Sequence, residues 1–189
     1  GVDYEIGIDE AAFYGPKLDI QCKNVFGKED TIVTIQIDML LAEKFGMYYT
    51  DSDNQQKLPY IIHRTSMGCY ERTLALLIEK YAGAFPMWLA PLQVEVIPVS
   101  PEFTGYAQEV TDKLYAAGIK VHCDARNDTM RYKIREAQLQ KTPYMLVVGE
   151  RDMNNGTVSV RTRSGEDKGA MPTEDFIAMA LEEIRTKAR

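Results

Sequence analysis

Residues 62–72 read Ile-His-Arg-Thr-Ser-Met-Gly-Cys-Tyr-Glu-Arg and predict a strand that turns sharply into a helix. Apolar residues precede the turn, and a run with apolar residues at helical spacing follows it as far as Tyr81. Gly68 lies at the bend, where a glycine lets the backbone approach a ligand closely. Arg72 offers donors for phosphate and a flat surface for a purine. Together with Ala12–Lys17 upstream, this stretch predicts one end of a nucleotide-handling site.

The composition is that of a globular protein. Its 189 residues, 45% apolar and 26% charged, suffice for one large or two small domains. No apolar run reaches the roughly 18 residues that a transmembrane helix needs, so we expect no membrane partner. The cysteines Cys22, Cys69 and Cys123 form no CxxC pair, which favours a reducing, cytoplasmic location.

Charge is unevenly distributed along the chain. The net charge of −6 argues against indiscriminate binding of nucleic acid. Residues 126–163 nevertheless carry 8 basic and 4 acidic side chains, so a local basic face is compatible with the sequence. An ordinary solvated surface is the alternative interpretation of this cluster.

The first half of the chain predicts an antiparallel sheet followed by a helix. Polar and apolar residues alternate in three short segments, as in half-buried strands. We predict strands at Lys17–Cys22, Thr31–Asp38 and Tyr60–Arg64, a loop at Thr50–Lys57, and a helix from about Met67 to Tyr81.

Residues 83–91 contain a glycine and two prolines and predict a boundary between domains 1–84 and 85–189. Beyond it, strands alternate with helices, which indicates an α/β domain of about 100 residues. We predict strands at Val94–Val99, Lys120–Asp124, Tyr144–Val148 and Thr157–Arg163, helices starting at Pro101, Met130 and Thr173, and a hairpin turn at Asn154-Asn155-Gly156.

Several of these segments resemble class II aminoacyl-tRNA synthetases, and specifically the threonyl-tRNA synthetase family. Ala12–Lys17, Thr34–Asp38 and the His63–Arg72 stretch are similar to the C-terminal third of the catalytic core. Residues 88–94, 133–149 and 156–161 are similar to the anticodon-binding domain. The resemblance implies an α/β protein in which part of an antiparallel class II catalytic sheet precedes a mixed-sheet anticodon-binding domain.

The resemblance implies a role for each matched residue of the first domain. Arg72 is similar to the motif 3 arginine that binds ATP, and Gly68 and Cys69 would lie against the nucleotide. Tyr14 and Gln36 would line the aminoacyl-adenylate pocket, the glutamine through hydrogen bonds. The family often has an aromatic-glutamine pair before this glutamine, where this chain has Asp30-Thr31.

His63 is similar to one ligand of the zinc ion with which this family binds threonine. Zinc takes at least three protein ligands. The other two in the family, a cysteine and a histidine, match nothing in this sequence. We therefore expect the chain by itself to lack zinc.

In the second domain the resemblance implies contacts with the anticodon bases of threonine tRNA. Asn127, Arg161 and Asp152 stand at the base-contacting positions, although Asp152 replaces a glutamate and Thr129 a frequent lysine. Arg151, Lys141, Arg126 and Arg131 would position the tRNA backbone, the basic loop at 126–131 being open to interpretation as ordinary surface.

The resulting expectation is a C-terminal fragment of a homodimeric threonine–tRNA ligase. The parent would activate threonine with ATP and Mg²⁺ and transfer it to threonine tRNA, whereas the fragment, without motifs 1 and 2, should be inactive. Two alternatives stay open: a free-standing tRNA-binding module derived from the anticodon domain, and an α/β interaction domain without a nucleic-acid role.

Overall fold

The computed structural model describes residues 3–188. Its contacts divide the chain into two compact units, one ending at Lys80 and the other beginning at Tyr81. The boundary predicted at residues 84/85 lies four positions further along. Within residues 3–188, no helix is both long and apolar enough to span a bilayer.

The first unit is built on a three-stranded antiparallel sheet of order β1-β2-β5. The strands and the following helix confirm the prediction to within a few residues. Residues 49–57 differ from the prediction, since the expected loop there includes a two-stranded hairpin. The elements are β1 (Lys17–Lys23), β2 (Glu29–Asp38), α1 (Leu41–Lys44), β3 (Tyr49–Thr50), β4 (Gln56–Lys57), β5 (Ile61–Arg64) and α2 (Tyr70–Tyr81).

The alternation of these strands gives the sheet two different faces. One face is polar and carries the predicted site residues Gln36 and His63. The other is apolar, and its residues Leu18, Ile20 and Ile62 remain 57%, 50% and 65% exposed. Because exposed apolar area of this kind marks an interaction surface, the apolar face is available for contact with another surface.

The second unit is built on a mixed five-stranded sheet of order β10-β9-β8-β6-β7, in which β6, β7 and β8 are parallel. The predicted α/β arrangement and mixed sheet are confirmed. The elements are β6 (Val94–Pro98), α3 (Thr104–Ala116, after a 3₁₀ turn at Pro101–Phe103), β7 (Val121–Cys123), α4 (Met130–Leu139), β8 (Tyr144–Val148), α5 (Glu150–Asn155), β9 (Thr157–Thr162), β10 (Asp167–Pro172) and α6 (Thr173–Thr186).

Both faces of the central strands are covered, so β6 and β8 are buried throughout. Val94 and Val96 belong to the main core, which α3 and α6 help to form. Ile97 and Met145 belong to a smaller core under α4. The sheet therefore has an α3–α6 side and an α4 side.

The predicted hairpin turn at Asn154-Asn155-Gly156 is wrong. Residues 150–155 form α5 instead, and Gly156 ends that helix with a left-handed φ of 67°. Asp152, at the third helical position, stabilises this helix by accepting a hydrogen bond from the N–H of the N-cap residue Gly149 at 3.2 Å. The sheet still continues as expected through β9, and its final hairpin joins β9 to β10.

Candidate active site and nucleic-acid interface

Strand register gathers polar side chains on one face of the first sheet. Lys17 lies opposite Gln36, and Gln36 lies opposite His63, so these three form one row across the sheet. Asp19 and Thr34 are opposite each other in the same way. Because paired residues project to the same face, three separate sequence segments contribute to one surface.

An open cleft of about 430 Å³ lies on this polar face. Its lining includes Tyr14, Gln36 and Arg72, three of the predicted site residues. The phenol of Tyr14 donates a hydrogen bond to Oε1 of Gln36 at 3.2 Å. Since this bond engages the amide oxygen, the Nε2 group of Gln36 is oriented to donate to a ligand.

A charged pair lines the same cleft. Lys17 Nζ lies 2.6 Å from Asp19 Oδ2, and the Thr34 hydroxyl donates to Asp19 Oδ1 at 2.7 Å. Burial favours the protonated carboxyl, but the bonds from Lys17 and Thr34 outweigh it and lower the pKa of Asp19. Asp19 is absent from the predicted site residues, although strand alternation places it on the same face as Lys17.

The turn before α2 is pressed against β2. Gly68 has a φ of 65°, and a Cβ atom there would lie only 2.1 Å from the carbonyl oxygen of Ile32. This packing seats α2 so that Arg72 Nη1 donates to the Thr31 carbonyl at 2.9 Å. The need for glycine at position 68 thus comes from the backbone of β2, and its nucleotide contact stays a prediction.

Cys69 is exposed and lies outside the lining of the cleft. Its thiol donates to a carboxylate oxygen of Glu71 at 2.9 Å, and that bond lowers the pKa of Glu71. The predicted contact of Cys69 with a nucleotide has no support from this side-chain position.

A second cleft, of about 300 Å³, shares part of its lining with the first. Tyr14 and Gln36 line both clefts, whereas Arg72 lines only the first and His63 only the second. Tyr14 and Gln36 therefore lie between two compartments: the first also contains Arg72 and the Lys17–Asp19 pair, and the second contains His63 and Lys44.

A buried carboxylate orients His63. Its Nε2 lies 3.1 Å from Oδ2 of Asp38, which is fully buried. The Oδ1 atom of Asp38 accepts from the backbone N–H groups of Leu40 and Leu41, each at 2.9 Å. Burial alone would raise the pKa of Asp38, but these backbone bonds and His63 together lower it.

The hydrogen bond between His63 and Asp38 is typical of a histidine that binds a metal. A carboxylate that bonds one imidazole nitrogen is the usual partner of a metal-binding histidine, and it leaves Nδ1 for the metal. Among residues 3–188, however, no three His, Cys, Asp or Glu side chains cluster closely enough to hold an ion. The described residues of this chain therefore do not complete a zinc site.

Two of the predicted tRNA contacts share one edge of the second sheet. Asn127 follows β7, and Arg151 lies in the first turn of α5 after β8. Because β7 and β8 are both parallel to β6, their carboxyl ends meet at the same edge, and both side chains are exposed. Ligands of open α/β sheets bind at this edge.

Asp152 has an internal role that the sequence does not reveal. Its residue is only 8% exposed, and its carboxylate accepts from the Gly149 N–H and from the hydroxyls of Thr157 and Ser159 at 3.1–3.4 Å. A carboxylate with its oxygens engaged in this way holds α5 against β9. The geometry therefore argues against the predicted direct base contact by Asp152.

Arg161 and Lys141 are placed differently from Asn127. Arg161 pairs with Met145 near the amino end of β8 and makes an ion pair of 3.0 Å with Asp167. The Lys141 ammonium donates to the backbone carbonyl of Ala82. The structure therefore does not gather the predicted tRNA contacts at one point, and Lys141 already has a hydrogen-bond partner within the protein.

Comparison with known proteins agrees with both units. The profile of the tRNA synthetase class II core domain (G, H, P, S and T) matches residues 4–81. The profile of the anticodon binding domain matches residues 93–183. Together with the two sheets, these matches identify the chain as part of a class II aminoacyl-tRNA synthetase, with a segment of the core domain followed by an anticodon-binding domain.

Within that class, the chain belongs to the threonine–tRNA ligase family. It is 58% identical to the threonine–tRNA ligase of Clostridium perfringens (strain 13 / Type A) over 186 residues, which are 98% of this chain and 29% of that protein. It is 47% identical to that of Staphylococcus saprophyticus, over 99% of this chain and 29% of that protein. The chain thus spans less than a third of the length of these relatives.

A solved structure supports the same assignment. The RNA binding domain of threonyl-tRNA synthetase from Cryptosporidium parvum Iowa II has a TM-score of 0.80 with this chain at 33% identity. The similarity covers 92% of this chain and 44% of that chain.

Proposed function

We propose that this chain supplies the motif 3 side of the adenylation site and the anticodon-reading domain of a threonine–tRNA ligase. The whole enzyme activates threonine with ATP and transfers it to threonine tRNA in the cytoplasm. The observation that carries this proposal is the pair of clefts that share Tyr14 and Gln36. An aminoacyl-adenylate also has two unlike ends, a nucleotide and an amino acid.

In this proposal Arg72 binds the nucleotide end. Its Nη1 is anchored on the Thr31 carbonyl. The remaining guanidinium donors can neutralise phosphate charge while the α-phosphate is attacked, and the guanidinium plane can stack on adenine. Lys17, on the same wall, is paired with Asp19 at 2.6 Å, so Arg72 supplies the free positive charge at this end, and Mg²⁺ would accompany ATP as its counter-ion.

Gln36 and His63 serve the amino-acid end. Gln36 donates from Nε2 where the two clefts meet, and Tyr14 fixes the orientation of the amide. His63 is held by Asp38 and supplies one ligand to a zinc ion. The other zinc ligands would come from the rest of the parent enzyme, and the metal would supply a Lewis-acidic centre for the amine and hydroxyl of threonine.

The second unit reads the tRNA anticodon in this proposal. Asn127 and Arg161 donate to base edges, and Arg151 neutralises phosphates. Asp152 contributes by holding α5, the helix that carries Arg151. The Lys141 ammonium donates to the Ala82 carbonyl and would contact a tRNA phosphate only after that hydrogen bond breaks.

The test is binding of threonine tRNA to the 189-residue chain, compared with a tRNA of unrelated anticodon. We expect selective, salt-dependent binding that Arg161→Ala weakens and that the control Lys168→Ala, on β10, retains. Equal binding of both tRNAs would contradict anticodon reading. Threonine-dependent pyrophosphate exchange by the chain alone is expected to be absent, and its presence would contradict the division of the site between this chain and the rest of the parent.

A further inference from the structure

Helix α4 presents an exposed surface of which the predicted tRNA contacts use only Arg131. Its inner side is occupied by Lys133 and Ala137, which are buried. On the outer side Arg131, Tyr132 and Arg135 are exposed, and the tyrosine retains 47% of its accessible area. Arg135 follows Arg131 by four positions and Tyr132 by three, so the three side chains are neighbours on the helix. We call these three residues the outer α4 surface.

The arginines of this surface differ from most others in the second unit. Arg126, Arg161 and Arg185 each pair with a carboxylate at 2.6–3.0 Å. Within residues 3–188 neither Arg131 nor Arg135 has a carboxylate partner within 4.0 Å. Their positive charge is therefore available to an anionic ligand.

Contacts on the two flanks of α4 show which neighbouring strand Arg131 and Arg135 are closer to. The Lys133 ammonium donates to the Asp124 carbonyl at 2.8 Å, next to β7. On the opposite flank, the Gln138 amide lies 3.7 Å from the Cβ position of Gly165, in the turn between β9 and β10. With about 100° per residue, Arg131 and Arg135 lie within roughly 20° and 60° of Gln138 around the helix. Both arginines are therefore on the β9 flank of α4.

Arg161 lies on the same side of the sheet. It pairs directly with Met145, which is buried under α4. Opposite residues share a face, so Arg161 emerges from β9 on the side where α4 lies. Arg131 and Arg135 thus lie on the same side of the sheet as a predicted tRNA contact and, unlike Arg161, have no carboxylate partner within residues 3–188.

We propose that the outer α4 surface binds unpaired RNA next to the anticodon bases. Tyr132 stacks on one unpaired base, and the guanidinium groups of Arg131 and Arg135 neutralise the adjoining phosphates. An exposed aromatic ring beside two cations is the combination that binds single-stranded RNA, because every base offers a π-face and every nucleotide a charge. An acidic protein partner would use the arginines but would give the ring no base to stack on. The inference rests on the proposed tRNA binding and adds a contact to it.

The experiment measures binding of the 189-residue chain to threonine tRNA over a range of salt concentrations. Tyr132→Ala should weaken binding roughly tenfold without changing the salt dependence, while Tyr132→Phe retains affinity. Arg131→Ala and Arg135→Ala should each reduce the slope of log K against log salt by about 1. Matched controls lie on the opposite side of the sheet: Tyr115→Ala on α3, where the ring is 75% exposed, and Arg185→Ala on α6.

The outcomes separate this inference from the function on which it rests. Absence of threonine tRNA binding by the unmodified chain would overturn both. Normal binding by a correctly folded Tyr132→Ala variant, with unchanged slopes for the arginine variants, would overturn the inference alone. Loss of polyglutamate binding in the arginine variants, with tRNA binding unchanged, would assign the surface to an acidic protein partner and also overturn it.

Discussion

The carboxylate of Asp38 is buried and lies 3.1 Å from Nε2 of His63, in the lining of the second cleft. The two residues come from β2 and β5, 25 positions apart in the sequence. Asp38 therefore fixes the imidazole that the proposed function assigns to the amino-acid end of the site.

Stability should depend on pH through Asp38. Its folded-state pKa lies below the ordinary 3.8, so the ionised carboxylate stabilises the fold above that pH. This contribution is lost as the pH falls through the depressed folded value. Urea unfolding of the unmodified chain and Asp38→Asn should differ most at neutral pH and converge in acid. A difference that stays constant with pH would contradict this assignment.

Gly68→Ala should destabilise the first unit by about 1 kcal/mol or more beyond the cost of a left-handed alanine. The added Cβ would lie 2.1 Å from the Ile32 carbonyl oxygen. Gly46→Ala is the matched control, because Gly46 has a similar φ of 61° with no atom within 4 Å of its Cβ position. Equal unfolding midpoints for the two variants would show that the close approach to β2 is unimportant.

Tyr14→Phe should lower threonine-dependent pyrophosphate exchange in the parent enzyme about two- to twelvefold. The substitution removes the hydrogen bond that orients Gln36, and a neutral bond of this kind contributes about 0.5–1.5 kcal/mol. Tyr48→Phe serves as the control, since that ring is 61% exposed and outside both clefts. Unchanged exchange by Tyr14→Phe would remove the phenol from the site.

Asp152→Ala should destabilise the second unit by about 1–3 kcal/mol. The change leaves the Gly149 N–H and the hydroxyls of Thr157 and Ser159 without their acceptor. Asp128→Ala, at an exposed position, should shift the unfolding free energy by less than about 0.5 kcal/mol. If Asp152→Ala weakens tRNA binding without lowering the free energy of unfolding, the carboxylate contacts the RNA directly.

The apolar face of the first sheet should cause self-association of the chain. The side chains of Leu18 and Ile62 are more than half exposed on this face, and that of Ile20 is half exposed. Sedimentation velocity should show a larger species as concentration rises, and Leu18→Glu should suppress it. Leu181→Glu, on α6 in the second unit, should have no such effect. A monomer at all concentrations would contradict the prediction.

Local patterns predicted most of the secondary structure. Strand alternation in Lys17–Cys22 and Thr31–Asp38, and the apolar run at Tyr144–Val148, depend only on which side chains are neighbours along the chain. The prediction failed at residues 150–156. Asn-Gly is a strong turn signal, but the capping bond of Asp152 stabilises a helix before it.

The sequence by itself determined the two-part α/β organisation and the family, because these follow from periodicity and from contiguous motifs. The tertiary structure alone decided how the side chains are used. It joined Tyr14, Gln36 and Arg72 in one cleft, buried Asp152, and left Arg131 and Arg135 of α4 without a carboxylate partner among residues 3–188. The physical reason is that strand register and helix packing bring together residues far apart in sequence, and burial then determines which polar groups must bond within the protein and which can bind a ligand.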